Sequence, residues 1–478
     1  MDRYIGIDLG TSSVKTLLIG ENGIEKSVSR DYPVQYPQTG WSEQEPLDWY
    51  SRTVDALKEL IAGTEPDTVR ALAFSGQMHG LVMLDRSDNS LRPAILWNDG
   101  RSVDEVAYLN GEVGESFLLR NTGNIAFAGF TAPKLMWVRK HEPQIFSQAV
   151  KIMLPKDYLA YRFTGAFATD VSDASGTLYF DVRNRCWSRP MLDLLGIDES
   201  VLPAVHESRE VIGTLLPALA AELGLPDGVR VVIGGGDNAC SAVGTGAVRD
   251  GDCNLSLGTS GTIFVETKEH RYDEHSAIHA FCSASGAYHY LACILSAASC
   301  QKWWRKTVLG ADYDFSGAER WLGKNEVLFL PYLMGERSPI NDPQAKAMFY
   351  GMSMNTTADE MSLAVLEGVA FALKQNLEII RSLGVNVTTS AICGGGAKNA
   401  LWLRIVADCL NVTLQVPDNE EGGALGAALL AAQGVLPAAE YRDFAGRFYG
   451  VRETVEPEPE LVAYYDERFG QYLQLYRK

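Results

Sequence analysis

The stretch RYIGIDLGTSSVK, residues 3–15, runs from an apolar, strand-like segment into a Gly/Thr/Ser turn, with one carboxylate, Asp8, at its lip. A strand end that holds a cation and approaches a phosphate has this composition. So does an ordinary tight turn capped by an acid. Working outward, YIGID and KTLLIG read as two strands joined by the GTSS turn, and GENG (20–23) supplies an Asn22-Gly23 hairpin signal. The alternating IEKSVSRDYPV (24–34) completes three consecutive antiparallel strands. EPLDWYSRTVDALKELIAG (45–63) has helical spacing, with Trp49, Val54, Leu57 and Ile61 on one face and a proline near its start. VRALAFSG (69–76) reads as a short buried strand, and VRVVIGGGDNACSAVGTGA (229–247) as a strand, a glycine-rich turn and a small-residue helix. Antiparallel strands followed by alternating helix and strand make an α/β layout.

The pattern then restarts. CNLSLGTSGTIFVET (253–267) is again strand, GTSG turn and strand, AYHYLACILS supplies another strand, and SAASCQKWWRKTV a helix. DLGTSSVKTLLI and SLGTSGTIFVET align when the second is shifted so that Ser256 falls on Asp8. A repeat of half the chain predicts two similar domains facing each other rather than a solenoid. We place them at 1–247 and 248–478. Because the second copy carries serine in place of Asp8, the turn itself does not need the acid, which favours a functional carboxylate there.

A chain of 478 residues exceeds one core of typical size. Its net charge of −18 repels phosphodiester backbones, so nucleic acid is not an expected partner. That charge also means an anionic substrate needs a locally basic or amide-lined site. The aromatic and basic CQKWWRKTV (300–308) therefore reads as a helix with a packed aromatic face. The eight cysteines form no C-x-x-C pair, which suggests neither a zinc cage nor a disulfide framework. HSAIH (275–279) spaces two histidines by four but lacks the glutamate of a zinc helix. No charged start precedes a long apolar run, and no run approaches the roughly 18 residues of a membrane span. The expectation is a cytoplasmic protein with no membrane partner.

Four glycine turns follow strand-like segments: GTSS (10–13), GGGDN (234–238), GTSG (258–261) and GGGAKN (394–399). Successive amides in such turns form concave anion sites, and two GTS turns could present donors to one polyphosphate. The P-loop, the Rossmann fingerprint and the kinase H-R-D loop are absent. Asp237, after three glycines at the end of an apolar run, is a candidate general base; the competing reading is a helix N-cap. Gln77, Met78 and His79 follow the strand 69–76 at its C-terminal end, where ligands sit in open α/β sheets. Trp97 could wall a polar ligand, with Asp99 and Arg101 nearby, and Asn238 could hold a hydroxyl of it.

These turns resemble the phosphate and adenosine motifs of the superfamily that unites sugar kinases, heat-shock ATPases and actin. Within it, GFTAPKLMWVRKH (129–141) and AMFYGMSMNTTADEMSLAVLEG (347–368) look like the two signatures of the FGGY carbohydrate kinases. GQMHG (76–80), LWNDGR (96–101), LPKDYL (154–159), SDASGT (172–177), GGGDNA (234–239) and PYLMGERSP (331–339) are similar to its xylulose-phosphorylating branch. The resemblance implies an α/β fold of two ribonuclease-H-like domains flanking a catalytic cleft, with sugar and base on the first domain and ATP on the second. It implies D-xylulose and ATP as substrates, with Asp237 as catalytic base and Asp8 holding Mg²⁺ through water, as in the family pattern. Thr11, Ser12, Gly258 and Thr259 would surround the phosphates, with Lys15 also on the ATP side. Gly395, Gly396 and Asn399 would receive the adenosine, and Met78-His79 would match the branch's substrate-contact dipeptide. A homodimer is implied as well. Another ketose or polyol as acceptor, or a non-enzymatic sugar- or nucleotide-binding regulator on the same fold, are the alternatives.

Overall fold

A computed structural model describes residues 1–274, 278–310 and 313–476. His275 of the HSAIH pair lies outside the described residues. The chain forms two compact units, and the division is not a single cut. The first unit comprises 1–246, 280–288 and 421–449; the second comprises 247–279, 289–420 and 450–478.

In the first unit six strands lie in the order Val211–Thr214, Arg230–Gly236, Val69–Gly76, Arg3–Leu9, Ser13–Gly20 and Gly23–Asp31. Strands Arg230–Gly236, Val69–Gly76 and Arg3–Leu9 run parallel, while Ser13–Gly20 and Gly23–Asp31 continue antiparallel, as the hairpin signals require. Successive side chains of a strand point to opposite faces. Ile5, Ile7 and Leu9 accordingly join the core that also holds Trp49, Val54 and Leu57 of the helix Pro46–Leu60. Gly6 and Asp8 point the other way, toward the helix Gly422–Gln433. A Cβ on Gly6 would lie 1.9 Å from the Ala424 carbonyl oxygen, so this position must be glycine for helix and sheet to touch. The same helix lies against Asp237–Thr245, where a Cβ on Gly426 would come within 1.8 Å of the Cys240 carbonyl oxygen.

The second unit repeats the arrangement. Cys253–Leu257 pairs antiparallel with Gly261–Thr267 and parallel with Thr389–Cys393, as Arg3–Leu9 does with Ser13–Gly20 and Val69–Gly76. Thr413–Pro417 extends the parallel set, and Val451–Val455 closes the edge antiparallel. The long helix Ala358–Ser382 starts in a capping box: Thr357 Oγ1 accepts from the Glu360 amide and Glu360 accepts from the Thr357 amide. Among the described residues no helix is long and apolar enough to cross a membrane.

Candidate active site

The site of the first unit is set by strand register. Asp8 is the lateral partner of Ser75, Leu9 of Gly76, and Ser75 and Gly76 in turn face Gly235 and Gly236. Three parallel strands therefore end at one level. The residues that follow the second and third strands, Gln77–His79 and Asp237, emerge beside Asp8. Met78 confirms the convergence, because a Cβ on Gly236 would lie 2.9 Å from its Cγ and Sδ.

Asp8 is partly exposed and accepts a 2.7 Å hydrogen bond from Ser75 Oγ on Oδ1. Burial raises its pKa; Ser75 and Lys15 oppose the rise and Glu421 adds to it. Lys15, the lateral partner of Asp8, is 3.1 Å from Glu421. Glu421 precedes the helix Gly422–Gln433, whose first turn lies against the Asp8 carboxylate. A Cβ on Gly423 would be 2.9 Å from Asp8 Oδ2. An oxygen site short of positive charge suits a hard divalent cation. Among the described residues no group of three or more His, Cys, Asp or Glu side chains gathers as a cage, so such a cation would keep water and phosphate ligands.

Asp237 is the first residue of the helix Asp237–Thr245, preceded by Gly236 as the cap residue, so the N-cap reading of Asp237 does not hold. Its Oδ1 accepts from both the Asn238 amide (2.7 Å) and Asn238 Nδ2 (2.9 Å). Burial, and then the charge of Asp8, push its carboxyl up to about 7. A general base is most effective when its pKa lies near the working pH. Asn238, expected at a sugar hydroxyl, spends its amide nitrogen on Asp237.

Gln77 is buried and donates to Gln44 Oε1 at 3.1 Å, while its own Oε1 is buried with no hydrogen-bond partner among the described residues. His79 is in the left-handed region (φ 70°). Its Nδ1 lies 2.8 Å from the Gly176 carbonyl oxygen, and its own carbonyl accepts from Thr131 Oγ1 and Lys134 Nζ. A Cβ on Gly176 would stand 2.3 Å from His79 Nδ1. Trp97 is 40% exposed, and its Nε1 donates to Thr11 Oγ1 at 2.9 Å. That fixes an aromatic face beside the GTSS turn. Of the residues near Trp97 in sequence, Arg101 pairs with Asp99 and Glu43 while its guanidinium stacks 3.8 Å from the Trp41 ring centre. Ser12 is exposed at the tip of the turn.

In the second unit Gly258 and Thr259 form the turn between Cys253–Leu257 and Gly261–Thr267. Their carbonyls accept from the amides of Ala298 (2.8 Å) and Ala297 (2.9 Å). Gly395 opens a 3₁₀ turn, and a Cβ there would meet nothing within 4 Å. Gly396 is demanded by packing, since a Cβ would sit 2.8 Å from Leu257 Cβ and Trp402 Cζ3. Asn399 caps the helix Ala400–Leu410 by accepting from the Trp402 amide.

Sequence reasoning missed Ser75, Gln44 and Gly423. The pair Gly422-Gly423 before an apolar small-residue run was a visible signal of close backbone approach; Ser75 and Gln44 carry none.

A profile of the FGGY family of carbohydrate kinases, N-terminal domain, matches residues 3–244, and its C-terminal domain matches residues 253–435. The xylulose kinase of Escherichia coli (strain K12) is 40% identical, covering 99% of both chains. A crystal structure of a xyloylose kinase from Brucella ovis superposes with a TM-score of 0.92 at 40% identity, covering 99% of this chain and 98% of that one. Gluconate kinase from Lactobacillus acidophilus gives a TM-score of 0.93 at 26% identity, covering 99% and 97%. The fold is thus shared by kinases of different acceptors, and the chain belongs to the FGGY family of carbohydrate kinases.

Proposed function

We propose that this kinase transfers the γ-phosphoryl group of ATP to O5 of D-xylulose, giving D-xylulose 5-phosphate. The observation that carries the reading is the common level of three parallel strand ends, which sets Asp8, Gln77–His79 and Asp237 side by side. The full-length similarity to xylulose kinases supports the choice of sugar.

Asp237 takes the proton of the attacking hydroxyl, and Asn238 fixes the orientation of its carboxyl. The unpartnered Gln77 Oε1 accepts from a sugar hydroxyl, which would satisfy a buried acceptor that is otherwise costly. Met78, His79 and the exposed Trp97 face shape the wall. Asp8 would hold Mg²⁺, and the ion would supply neutralisation of the phosphate charge. Thr11, Ser12 and Lys15 lie on the same unit as Asp8 and serve the phosphates. Gly258, Thr259, Gly395, Gly396 and Asn399 serve ATP from the second unit. The open space beside Gly395 suits a nucleoside ring lying on backbone.

A coupled ADP-release assay with Mg-ATP and D-xylulose, L-xylulose, D- and L-ribulose, glycerol, gluconate and D-fructose tests this. Preference for D-xylulose is expected. Preference for another acceptor would overturn the sugar alone. Silence across the panel from folded, ATP-binding protein would overturn the reading.

A further inference from the structure

Behind the glycine bend that carries Asp237 lies a fully buried ionic cluster. Lys156 Nζ is 2.7 Å from Asp157, 3.1 Å from Asp170 and 3.8 Å from Asp173, and all four side chains are at most 1% exposed. Burial opposes the lysine's charge, yet the three acids hold its pKa above the usual range. One cation among three carboxyls is an expensive thing to bury, and removing the cluster's polar groups for packed hydrocarbon would often be neutral or better for stability. Its retention calls for a positional reason.

The hydrogen bonds supply one. Asp170 Oδ2 accepts from Ser172 Oγ at 2.6 Å and from Ser208 Oγ at 2.7 Å. Ser172 Oγ in turn accepts from the amide of Gly236 at 3.1 Å, and Gly236 immediately precedes Asp237. The Ser208 carbonyl accepts from the amide of Gly234 at 3.0 Å. Both ends of the Gly234–Gly236 bend are therefore tied to Asp170. The bend itself is irregular: the register with Val69–Gly76 shifts between Val232 and Gly235, and Gly234 has φ 74°. A Cβ on Gly234 would lie 1.7 Å from the Phe74 carbonyl oxygen, and one on Gly235 2.8 Å from Ser172 Oγ. Such bulges re-aim the residue that follows them. Here the irregular backbone needs an external clamp, because its ladder is interrupted where Asp237 must be aimed.

We infer that Ser172, held by the Asp170–Lys156 pair, is a positioning residue for phosphoryl transfer: it clamps the Gly236 amide and so fixes where the Asp237 carboxylate stands. The inference rests on the reading of Asp237 as the base.

The test uses the full chain with Ser172→Ala and Ser172→Cys, the second keeping the volume with a poor hydrogen-bonding group, and Asp237→Ala in parallel. Steady-state kcat, sugar KM, sugar Kd by calorimetry and the melting temperature are measured for each. Both Ser172 variants are expected to lose about 10- to 100-fold in kcat, with sugar Kd within about twofold of the parent, since small misplacement of a reacting group carries costs of that order. Parent-like kcat in Ser172→Ala, or in Ser172→Cys should the alanine variant not fold, overturns the inference. A matched loss of sugar affinity also overturns it, because that is general damage to the site. Asp237→Ala discriminates the two readings. Near-normal turnover there removes the base and the inference together, whereas abolished turnover with unaffected Ser172 variants removes the inference alone.

Discussion

Replacing Asp237 by asparagine should make the metal-free protein more stable at alkaline pH while disabling it. The carboxyl's pKa is pushed from 3.8 up to about 7, first by burial and then by Asp8. In the unfolded chain the group titrates near its ordinary value. Between these two values the native state binds more protons than the unfolded state, so this group's contribution to stability falls as pH rises through the window. Below 3.8 both states are protonated and the cost vanishes; above about 7 it is complete. A rise of about 3 units corresponds to a ceiling of about 4 kcal/mol. Partial exposure of the side chain screens the charge and brings the expected effect to about 2 kcal/mol. An asparagine Oδ1 can still accept from the Asn238 amide and Nδ2, so those bonds need not be lost. At pH 8 in EDTA, Asp237→Asn should melt about 3 °C above the parent. The gap should close toward pH 4.5 and shrink when Mg-ATP is added, because a cation near Asp8 weakens the repulsion. Turnover should fall by about 10²- to 10⁴-fold. Parallel melting curves for the two proteins from pH 4.5 to 8.5 would refute the reasoning, since they would mean that Asp237 titrates normally in the folded chain.

Further outcomes follow from individual contacts. Gly423→Ala puts a Cβ 2.9 Å from Asp8 Oδ2 and should raise the Mg²⁺ concentration for half-maximal rate about tenfold, with sugar Kd unchanged in calorimetry. Gly176→Ala drives a Cβ to 2.3 Å from the His79 ring and should raise the sugar KM about tenfold while nucleotide binding, followed by fluorescence titration, stays intact. Asp8→Asn removes the charge that helps raise Asp237, so any residual activity should keep its acid limb at lower pH than the parent in a kcat/KM profile. Gly426→Ala forces a Cβ to 1.8 Å from the Cys240 carbonyl and should destabilise the first unit by about 3 kcal/mol in urea unfolding.

The amino-acid sequence by itself determined the elements around Asp8. Alternation, the Asn22-Gly23 turn and the spacing of Trp49, Val54 and Leu57 are local signals, and the hairpins and the helix formed where those signals lie. It also determined the internal repeat, because a duplicated unit repeats its turn chemistry along with its strands. Motif resemblance placed Asp8, Asp237 and Gln77–His79 as candidates, since Asp8 lies at the end of a strand and the others just past one, positions legible from the chain. Tertiary structure alone decided how those ends line up, because parallel register is set between segments distant in sequence. It decided that the helix Gly422–Gln433 belongs with the first unit and lies against Asp8, a contact for which the four glycine turns singled out from sequence gave no hint. It decided, too, that Arg101 pairs with Asp99 and Glu43 and stacks on Trp41, and that Gly396 is glycine for Leu257 and Trp402. The physical reason is one of range. Backbone periodicity and turn preference act over a few residues, whereas charge pairing, close backbone approach and burial depend on neighbours that only folding supplies.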